Sequence, residues 1–440
     1  MPPRGCLLLS VSILVAAAGC RGRSAEVAPP RRPLPALALA LAAPGGSAPV
    51  DREIAGLQAR VRAGGGADDL VALGQGFVRK ARQTSDAGLY LAAAEAADAA
   101  LALEPASRRA AELRGLVLLQ DHRFAEARAL AEGVLARAPD DRGALGILSD
   151  ALVELGCYDE ALSVTQRLVD LKPNLPSYLR ASHLLWLQGD AAAAREVARL
   201  AVDAASDPRD PEPRAWALAH LATLAWHEGD LAAAAAAADE ALRLQPGHAA
   251  ALVARGRVAM AQGDARAAAG ALELSLHTAP LAETAWLLGD AREALSDAAG
   301  ARAAFELVRR HGRAFDRRTL AQFLSTRGEE PDEAVRLAAA ERAVRDDVLS
   351  QDVHAWALFR AGRLAEARAA SDLSRRLGTR DARLLFHAGA IRLAGGERAA
   401  GLALVRAALR QNPAFDRTGA AEARRLLGSS SARLARTGGR

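Results

Sequence analysis

Apolar residues follow a helical spacing along most of the chain, in segments of constant length. The pattern begins near Asp51 and is punctuated by prolines, of which Pro246 and Pro280 lie 34 residues apart. The two segments that end at these prolines carry a glycine at the same offset, Gly229 and Gly263. A fixed period of 34 residues with this punctuation predicts an array of helix–turn–helix repeats.

The same punctuation continues on both sides of these two segments. Proline cannot continue a helix, so we expect it just past the end of each second helix. Further prolines of this kind are Pro105, Pro139, Pro173, Pro208 and Pro413. Further turn glycines are Gly156, Gly362 and Gly396. The small residues that open second helices are Ala127, Ala161, Ala234, Ala268 and Ala367. They predict about ten helix pairs within residues 51–416, with a short first helix over 51–63.

The composition favours helices alone. Hydrophobic residues make up 51% of the chain, but aromatic residues only 4%, and much of the apolar content is alanine. Alanine has the highest helix propensity, so we expect an all-α fold. The net charge of +5 resides in the tails, because residues 21–50 and 417–440 carry an excess of arginine while the repeat body is mildly acidic. A nucleic-acid-binding body would carry a clustered basic face, so we expect no nucleic acid as a partner.

Residues 1–20 are typical of a bacterial targeting segment. Arg4 supplies a positive charge ahead of the apolar run Leu7–Ala18, which is too short to span a bilayer. The run ends in small residues directly before Cys20, which resembles the lipobox of bacterial lipoproteins. The resemblance implies a lipid anchor on Cys20, and the alternative is an ordinary signal peptide with a chance cysteine. Arg21 is not the Asp that retains some lipoproteins in the inner membrane, which favours the outer membrane.

Two segments without repeats flank the array. Residues 21–50 contain six prolines and predict an extended tether of up to roughly 90 Å, at about 3.1 Å per residue. Residues 417–440 predict a polar capping helix over 417–427, followed from 428 by a disordered basic tail rich in Ser, Gly and Arg.

The repeat unit resembles the tetratricopeptide repeat. That family's pattern runs from Trp, Leu, Gly and Tyr in the first helix to Gly, Ala, Phe, Ala and Pro towards the end of the unit. Three units match it, at Gly256, Gly263, Ala268 and Pro280, at Gly229, Ala234, Ala241 and Pro246, and at Gly389, Gly396, Ala408 and Pro413. The resemblance implies a right-handed superhelix, an α-solenoid with a concave groove for protein segments. Most of the family's aromatic residues are replaced here by Ala or Leu, and the stretch 313–347 is degenerate.

Candidate catalytic groups do not converge in the sequence. There is no Gly-x-Ser-x-Gly motif and no phosphate-binding loop, and His227-Glu228 lacks the second histidine of a metalloprotease motif. His220 and His227 lie seven residues apart, a spacing that fits two separate histidines better than a pair of metal ligands. We therefore expect no enzyme, no cofactor and no bound metal.

The five tryptophans indicate a candidate binding surface. In tetratricopeptide arrays the first helix of each pair lines the concave groove, and all five tryptophans fall on first helices. The resemblance therefore implies a peptide-binding groove formed by Trp186, Trp216, Trp226, His227, Trp286, Asp290, Trp356 and Phe359. Tryptophan anchors are typical of binding hot spots. The alternative is that these rings pack between repeats as core.

These features predict a non-enzymatic scaffold in a bacterial cell envelope. It would be anchored to the membrane through Cys20, face the periplasm and bind protein partners in its groove. The alternative is an accessory subunit of an envelope transporter, secretion or polysaccharide-export machine.

Overall fold

The computed structural model describes residues 37–43, 45–84, 86–207 and 209–437, which form helices and connecting turns without any strand in these ranges. The 22 helices are α1 Pro49–Arg62, α2 Ala67–Thr84, α3 Leu89–Leu103, α4 Arg108–Gln120, α5 Phe124–Leu135, α6 Arg142–Glu154, α7 Tyr158–Leu171, α8 Leu175–Leu187, α9 Ala191–Ala204, α10 Glu212–His227, α11 Leu231–Leu244, α12 Ala249–Ala261, α13 Ala265–Thr278, α14 Ala282–Ala294, α15 Ala298–Phe315, α16 Arg317–Arg327, α17 Pro331–Arg342, α18 Val348–Arg360, α19 Leu364–Ser374, α20 Ala382–Ala394, α21 Arg398–Gln411 and α22 Arg417–Thr437. The all-α prediction is confirmed.

Twenty of these helices form ten pairs, from α2–α3 to α20–α21, as the period predicts. The prolines stand where expected: α11 ends two residues before Pro246, and α13 ends two residues before Pro280. Ala234 and Ala268, which open these two second helices, are fully buried. Small residues at these sites let the two helices of a pair approach closely, and a larger side chain would push them apart.

Two kinds of glycine shape the pairs. Gly229 and Gly263 lie in the turn between helices with φ of +76° and +83°, the left-handed region that residues with a Cβ rarely adopt. Gly256 instead lies on a first helix, where an added Cβ would come within 2.7 Å of the Leu272 side chain on the second. The first kind sets the direction of the chain, and the second sets the spacing of the helices.

The array winds back on itself, so that later repeats contact earlier ones. The first helices α6, α8 and α10 each end in backbone carbonyls that have no partner within the helix. Later connections donate to them, through Asp346 N–H to the Glu154 oxygen at 2.9 Å, the Thr379 hydroxyl to the Leu187 oxygen, and Asn412 Nδ2 to the Trp226 oxygen at 2.7 Å. We call these three hydrogen bonds the inter-turn contact. They join residues 186 to 192 positions apart, which is about five and a half repeats of the 34-residue period.

Buried polar groups reinforce the inter-turn contact. The Tyr158 hydroxyl accepts a hydrogen bond from Val348 N–H at 2.8 Å, and burial raises the pKa of this hydroxyl. The buried Arg345 forms ion pairs with Glu154 at 3.0 Å and with Glu341 at 2.9 Å. Breaking one partner of such a buried set is costly, because it leaves an uncompensated charge. Specific polar bonds therefore hold the later turn on the earlier one.

The N-terminal boundary of the array differs from the prediction. Helix α1 begins at Pro49 instead of Asp51, and residues 37–43, assigned to the tether, pack against the first repeat. Ala40 is fully buried, and the Glu95 carboxylate accepts its N–H at 3.0 Å. The apolar residues of 37–43 are removed from water by packing on the first repeat. The part of 21–50 that is available as an extended tether is therefore shorter than predicted.

The C-terminal boundary also differs. The predicted capping helix is present, but α22 runs from Arg417 to Thr437, so residues 428–437 are helical where we expected a disordered tail. Alanine, leucine and arginine in 432–436 are strong helix formers and outweigh the serines before them.

None of the described helices is both long enough and apolar enough to cross a lipid bilayer. The targeting segment 1–20, its lipidation site Cys20 and the tether residues 21–36 lie outside the described residues.

Candidate functional site

The structure separates the five tryptophans into two groups. Trp186, Trp226, Trp286 and Trp356 are 7%, 4%, 7% and 1% exposed, whereas Trp216 is 52% exposed. The four buried rings pack between helices, as the alternative interpretation of the sequence expected. Only Trp216 presents most of its ring to solvent.

Trp186 and His227 lie together where the earlier and later turns meet. Their rings are 4.8 Å apart, and His227 Nδ1 lies 2.9 Å from a carboxylate oxygen of Asp381, at the start of α20. Burial opposes the charge of Asp381, but the hydrogen bond with His227, the charges of His227 and Arg383 and the Leu384 N–H together hold the pKa of this carboxyl below its usual range. These groups therefore have partners within the protein.

Trp356 and Phe359 belong to a separate aromatic cluster near the C-terminus. Their rings stack at 5.2 Å, and Trp356 also stacks on His387 at 4.1 Å. His387 Nδ1 lies 2.8 Å from a carboxylate oxygen of the buried Asp352. This cluster packs the last repeats together and offers little surface to a ligand.

Trp226, Trp286 and Asp290, by contrast, surround one cavity of about 340 Å³. One wall is formed by α10, α12 and α14, and the other by the start of α20, the connection 413–416 and α22. The lining residues are Trp226, Arg257, Met260, Ala261, Glu283, Trp286, Leu287, Asp290, Ala294, Arg383, Pro413, Ala414, Phe415, Asp416, Arg417, Ala420 and Arg424. Its size is at the lower end of the range for small-molecule sites.

Helix α14 supplies five of the 17 lining residues, more than any other helix. Glu283, Trp286, Leu287 and Asp290 follow at i, i+3, i+4 and i+7, which places them on one helix face. The opposite wall is fixed by the inter-turn contact at its start. It is held further on by an ion pair at 2.8 Å between Arg417 and Glu293 of α14.

An ion pair occupies the end of the cavity next to α12. Arg257 lies 2.5 Å from Glu283, and its guanidinium stands over the Trp226 ring, 4.7 Å from the ring centre. The arginine charge lowers the pKa of Glu283. Both groups are therefore charged and paired at neutral pH.

Asp290 lies towards the other end of the cavity and has no such partner. It is 7% exposed, and its carboxyl makes no hydrogen bond or ion pair with any described residue. Burial, reinforced by the carboxylates of Asp416 and Glu293, raises its pKa to about 7. Arg327 and Arg417 oppose this shift, but both form ion pairs with Glu293.

Sequence reasoning missed the lining residues Arg383, Phe415 and Asp416. They come from the last repeat and the segment after it, at least 89 residues beyond the end of α14. The repeat period relates each unit only to its neighbours, so it carries no information about which distant unit faces α14. Asn412 could have pointed to this distant contact, because it is one of only two asparagines in the chain and stands directly before Pro413, which closes the last repeat.

A second surface surrounds Trp216. Its ring packs edge-on against His248 at 6.0 Å. Leu281, directly before α14, is 56% exposed, and Phe315, the last residue of α15, is 73% exposed, while Trp216 lies in the second turn of α10. We call Trp216, Leu281 and Phe315 the apolar edge.

The described ranges contain no group of three or more His, Cys, Asp or Glu side chains that could hold a metal ion. His220 and His227, seven residues apart, have different partners: His220 Nε2 lies 3.1 Å from the Ser182 hydroxyl, and His227 pairs with Asp381.

Solved structures with a similar fold have low sequence identity to this chain. A human IFIT1 dimer with PPP-AAAA is 14% identical, with 81% of this chain and 90% of that chain covered and a TM-score of 0.46. PilW, a type IV pilus biogenesis factor, is 17% identical, with 49% and 96% covered and a TM-score of 0.40. A thermophilic tetratricopeptide repeat protein of Thermus thermophilus is 25% identical, with 42% and 97% covered and a TM-score of 0.36. No curated protein matches the chain.

Family comparison addresses the repeats directly. Two tetratricopeptide repeat families match, one over residues 118–182 and the other over residues 78–141 and 220–283. The matches cover α3 to α7 and α11 to α13 completely and parts of α2, α8, α10 and α14, and they include most of the two segments in which the 34-residue period is clearest. Together with the ten helix pairs, they show that the chain contains tetratricopeptide repeats.

Proposed function

We propose that this protein is a scaffold of the bacterial cell envelope that docks a protein partner on its apolar edge. Tetratricopeptide repeat proteins are in general non-enzymatic scaffolds that bind protein partners. We further propose that this chain carries a membrane anchor and that its partner docks on one particular surface.

We choose this surface because Trp216 is exposed. Tryptophan is the side chain with the largest apolar area to remove from water, and it is enriched among residues that dominate binding energy. Of the eight residues predicted for the groove, it is the one that remains mostly exposed. Leu281 and Phe315, two repeats later, add further exposed apolar side chains.

The anchor rests on the sequence before the described residues. Small residues directly precede Cys20, after a positively charged start and an apolar run. A lipid on Cys20 would hold the array at a membrane surface, with residues 21–36 as the remaining tether. Labelling with a fatty-acid analogue tests this: the label should be present on the native chain and absent from Cys20→Ser. Equal labelling of both chains excludes the anchor.

Site-specific crosslinking in native membranes tests the docking surface. A photo-crosslinking amino acid at the position of Trp216 or Leu281 should give a discrete adduct with a protein partner. The same reagent at Leu200 or Leu274 should not, because these leucines have similar exposure, 44% and 48%, but lie on second helices.

A substitution completes the test. Trp216→Ala should strongly reduce the adduct formed from position 281, since the ring contributes to the docking surface without contacting the crosslinker. Adducts of equal yield at all four positions, or at none, would exclude docking on the apolar edge.

A further inference from the structure

Histidines are concentrated where the earlier turn of the superhelix faces the later one. The chain has nine histidines, and four of them lie on first helices of the earlier turn or just after one. Three of these four interact with acids of the later turn, at residues 341, 347 and 381. We call the four the histidine row: His122, His183, His220 and His227. Side chains that can change charge near neutral pH are therefore gathered at the contact between the turns.

His122 stands at a turn position where the following repeats have glycine. Its φ is +58°, and the residues at the same position of the next three repeats are Gly156, Gly189 and Gly229, with φ of +73°, +80° and +76°. A residue with a Cβ is less stable than glycine in this left-handed region. The imidazole that is kept at this cost contacts the later turn, because its Nδ1 lies 4.0 Å from a carboxylate oxygen of Glu341.

The later turn presents more arginine than acid to His122. The imidazole stacks on Phe124 at 5.6 Å, and the Arg345 guanidinium lies over the same Phe124 ring at 5.0 Å. Glu341 is already paired with Arg345 at 2.9 Å. The other charged groups that act on His122 are Arg317, Arg318 and Asp316. Burial, reinforced by the arginine charges, lowers the pKa of His122 to about 4.

The middle of the row is also unfavourable for positive charge. Burial lowers the pKa of His183, and it lowers the pKa of His220 to about 4. His220 Nε2 lies 3.1 Å from the Ser182 hydroxyl, and its charged neighbours are His183 and His227. The charged groups that face His183 are Asp150 of the same turn, Asp347 and Arg318 of the later turn, and His227.

The acids of the contact respond differently to pH. Burial raises the pKa of Glu154, so its protonation favours contact between the turns as pH falls and opposes the effect of the histidines. Asp381 pairs with His227, and its pKa below the usual range keeps it charged between pH 5 and 7. His227 also faces the Glu283 carboxylate. The charged groups around Glu154 are Arg345, Arg318, Asp347 and Asp150.

We infer that acidification releases the later turn of the superhelix from the earlier one, as the histidine row gains positive charge opposite the arginines of the later turn. The sign follows from linkage. A histidine that binds a proton less readily while the turns are in contact favours their separation as the pH falls below about 6.5. The helix pairs stay folded, because the alanines and glycines that hold them together do not titrate. This release does not depend on the docking of a partner at Trp216.

Hydrogen exchange of the full-length chain at pH 7 and pH 5 tests the inference. Asp346 N–H and Val348 N–H donate across the turns, to the Glu154 oxygen and the Tyr158 hydroxyl, so their protection reports the contact. After correction for the pH dependence of exchange itself, the shift at His122 alone corresponds to about twentyfold lower protection at pH 5. Because 38% of the His122 side chain is exposed and solvent screens its charge, we expect a decrease of about five- to tenfold. Far-UV circular dichroism should show the same helix content at both pH values.

Matched variants separate the imidazole from the backbone. His122→Gly removes the imidazole and relieves the left-handed φ, so it should fold and show a smaller decrease in protection at pH 5. Ser296→Gly makes the same backbone change at a turn with φ of +61° and should keep the decrease of the native chain. His277→Gln, at an exposed histidine on α13, should also keep it. The double variant His122→Gly/His183→Gln should lose most of the decrease.

Three results would overturn the inference. The first is equal corrected protection of Asp346 N–H and Val348 N–H at pH 7 and pH 5 in the native chain. The second is a decrease of native size in the double variant, which would assign the response to other groups. The third is loss of helix content at pH 5, since the chain would then unfold instead of separating its turns.

Discussion

Gly189→Ala and Gly263→Ala make the same chemical change in the same kind of turn, but only Gly189 lies against another turn of the superhelix. Both glycines have positive φ, +80° and +83°. An added Cβ at Gly189 would lie 2.6 Å from the carbonyl oxygen of Gly378, whereas at Gly263 it would meet nothing within 4 Å. The pair of variants therefore isolates the energy of the inter-turn contact.

The magnitude follows from two contributions. Alanine in the left-handed region costs roughly 1–2 kcal/mol, and both variants lose this amount. At Gly189 the neighbour is backbone and cannot move aside as a side chain would, so the two turns must separate. The adjacent buried hydrogen bond from the Thr379 hydroxyl to the Leu187 oxygen is then lost, for about 1–3 kcal/mol more.

Urea unfolding measures the difference. We expect Gly189→Ala to lower the free energy of unfolding by roughly 2–5 kcal/mol and Gly263→Ala by roughly 1–2 kcal/mol. Hydrogen exchange shows whether the separation spreads to the neighbouring part of the inter-turn contact, because Asp346 N–H bonds only across the turns, to the Glu154 oxygen one repeat before Gly189. Its exchange should become faster in Gly189→Ala and remain unchanged in Gly263→Ala.

Equal destabilisation by the two variants would refute the reasoning. It would mean that the turns already separate in solution or that the contact between them carries no net energy. Unchanged protection of Asp346 N–H in Gly189→Ala would mean that the three hydrogen bonds of the inter-turn contact open independently of one another.

Three further predictions concern single side chains. Burial raises the pKa of Asp290 from its usual value near 4 to about 7, so its contribution to the stability of the fold is lost as pH rises from 4 to 8. By urea unfolding, Asp290→Asn should be more stable than the native chain by about 4 kcal/mol at pH 8 and about equal to it at pH 4. Asn412→Ala removes the donor to the Trp226 oxygen and should lower the free energy of unfolding by about 1–3 kcal/mol, with no such loss if solvent replaces the amide. Ala234→Leu overpacks a fully buried site and should cost about 1–3 kcal/mol in the same assay, whereas the exposed Ala236→Leu should cost under about 0.5 kcal/mol.

Local chemistry made the helix pairs predictable. Pro246 and Pro280 mark the ends of second helices, and Gly229 and Gly263 mark turns, because each residue acts on the backbone at its own position. These features can therefore be predicted from residues that lie close together in the chain.

The candidate site was only partly predictable. Trp226, Trp286 and Asp290 were assigned to one surface and do share a cavity, but the sequence left open whether the rings are core or groove. Whether the face of α14 lines a cavity depends on what lies opposite it, and that is Phe415 and its neighbours from the far end of the chain. A repeat array has the same local pattern whether or not it returns to contact itself, so the opposite wall could not be inferred.

The inter-turn contact also limits how the array can change in length. A simple solenoid can gain or lose a unit at little cost, because each unit touches only the next. Here the ends of α6, α8 and α10 meet connections about five and a half units later, in consecutive order. Adding or deleting one repeat between them would displace every donor from its carbonyl by a full unit. The number of repeats in this stretch is therefore constrained by closure, as the number of strands is in a barrel.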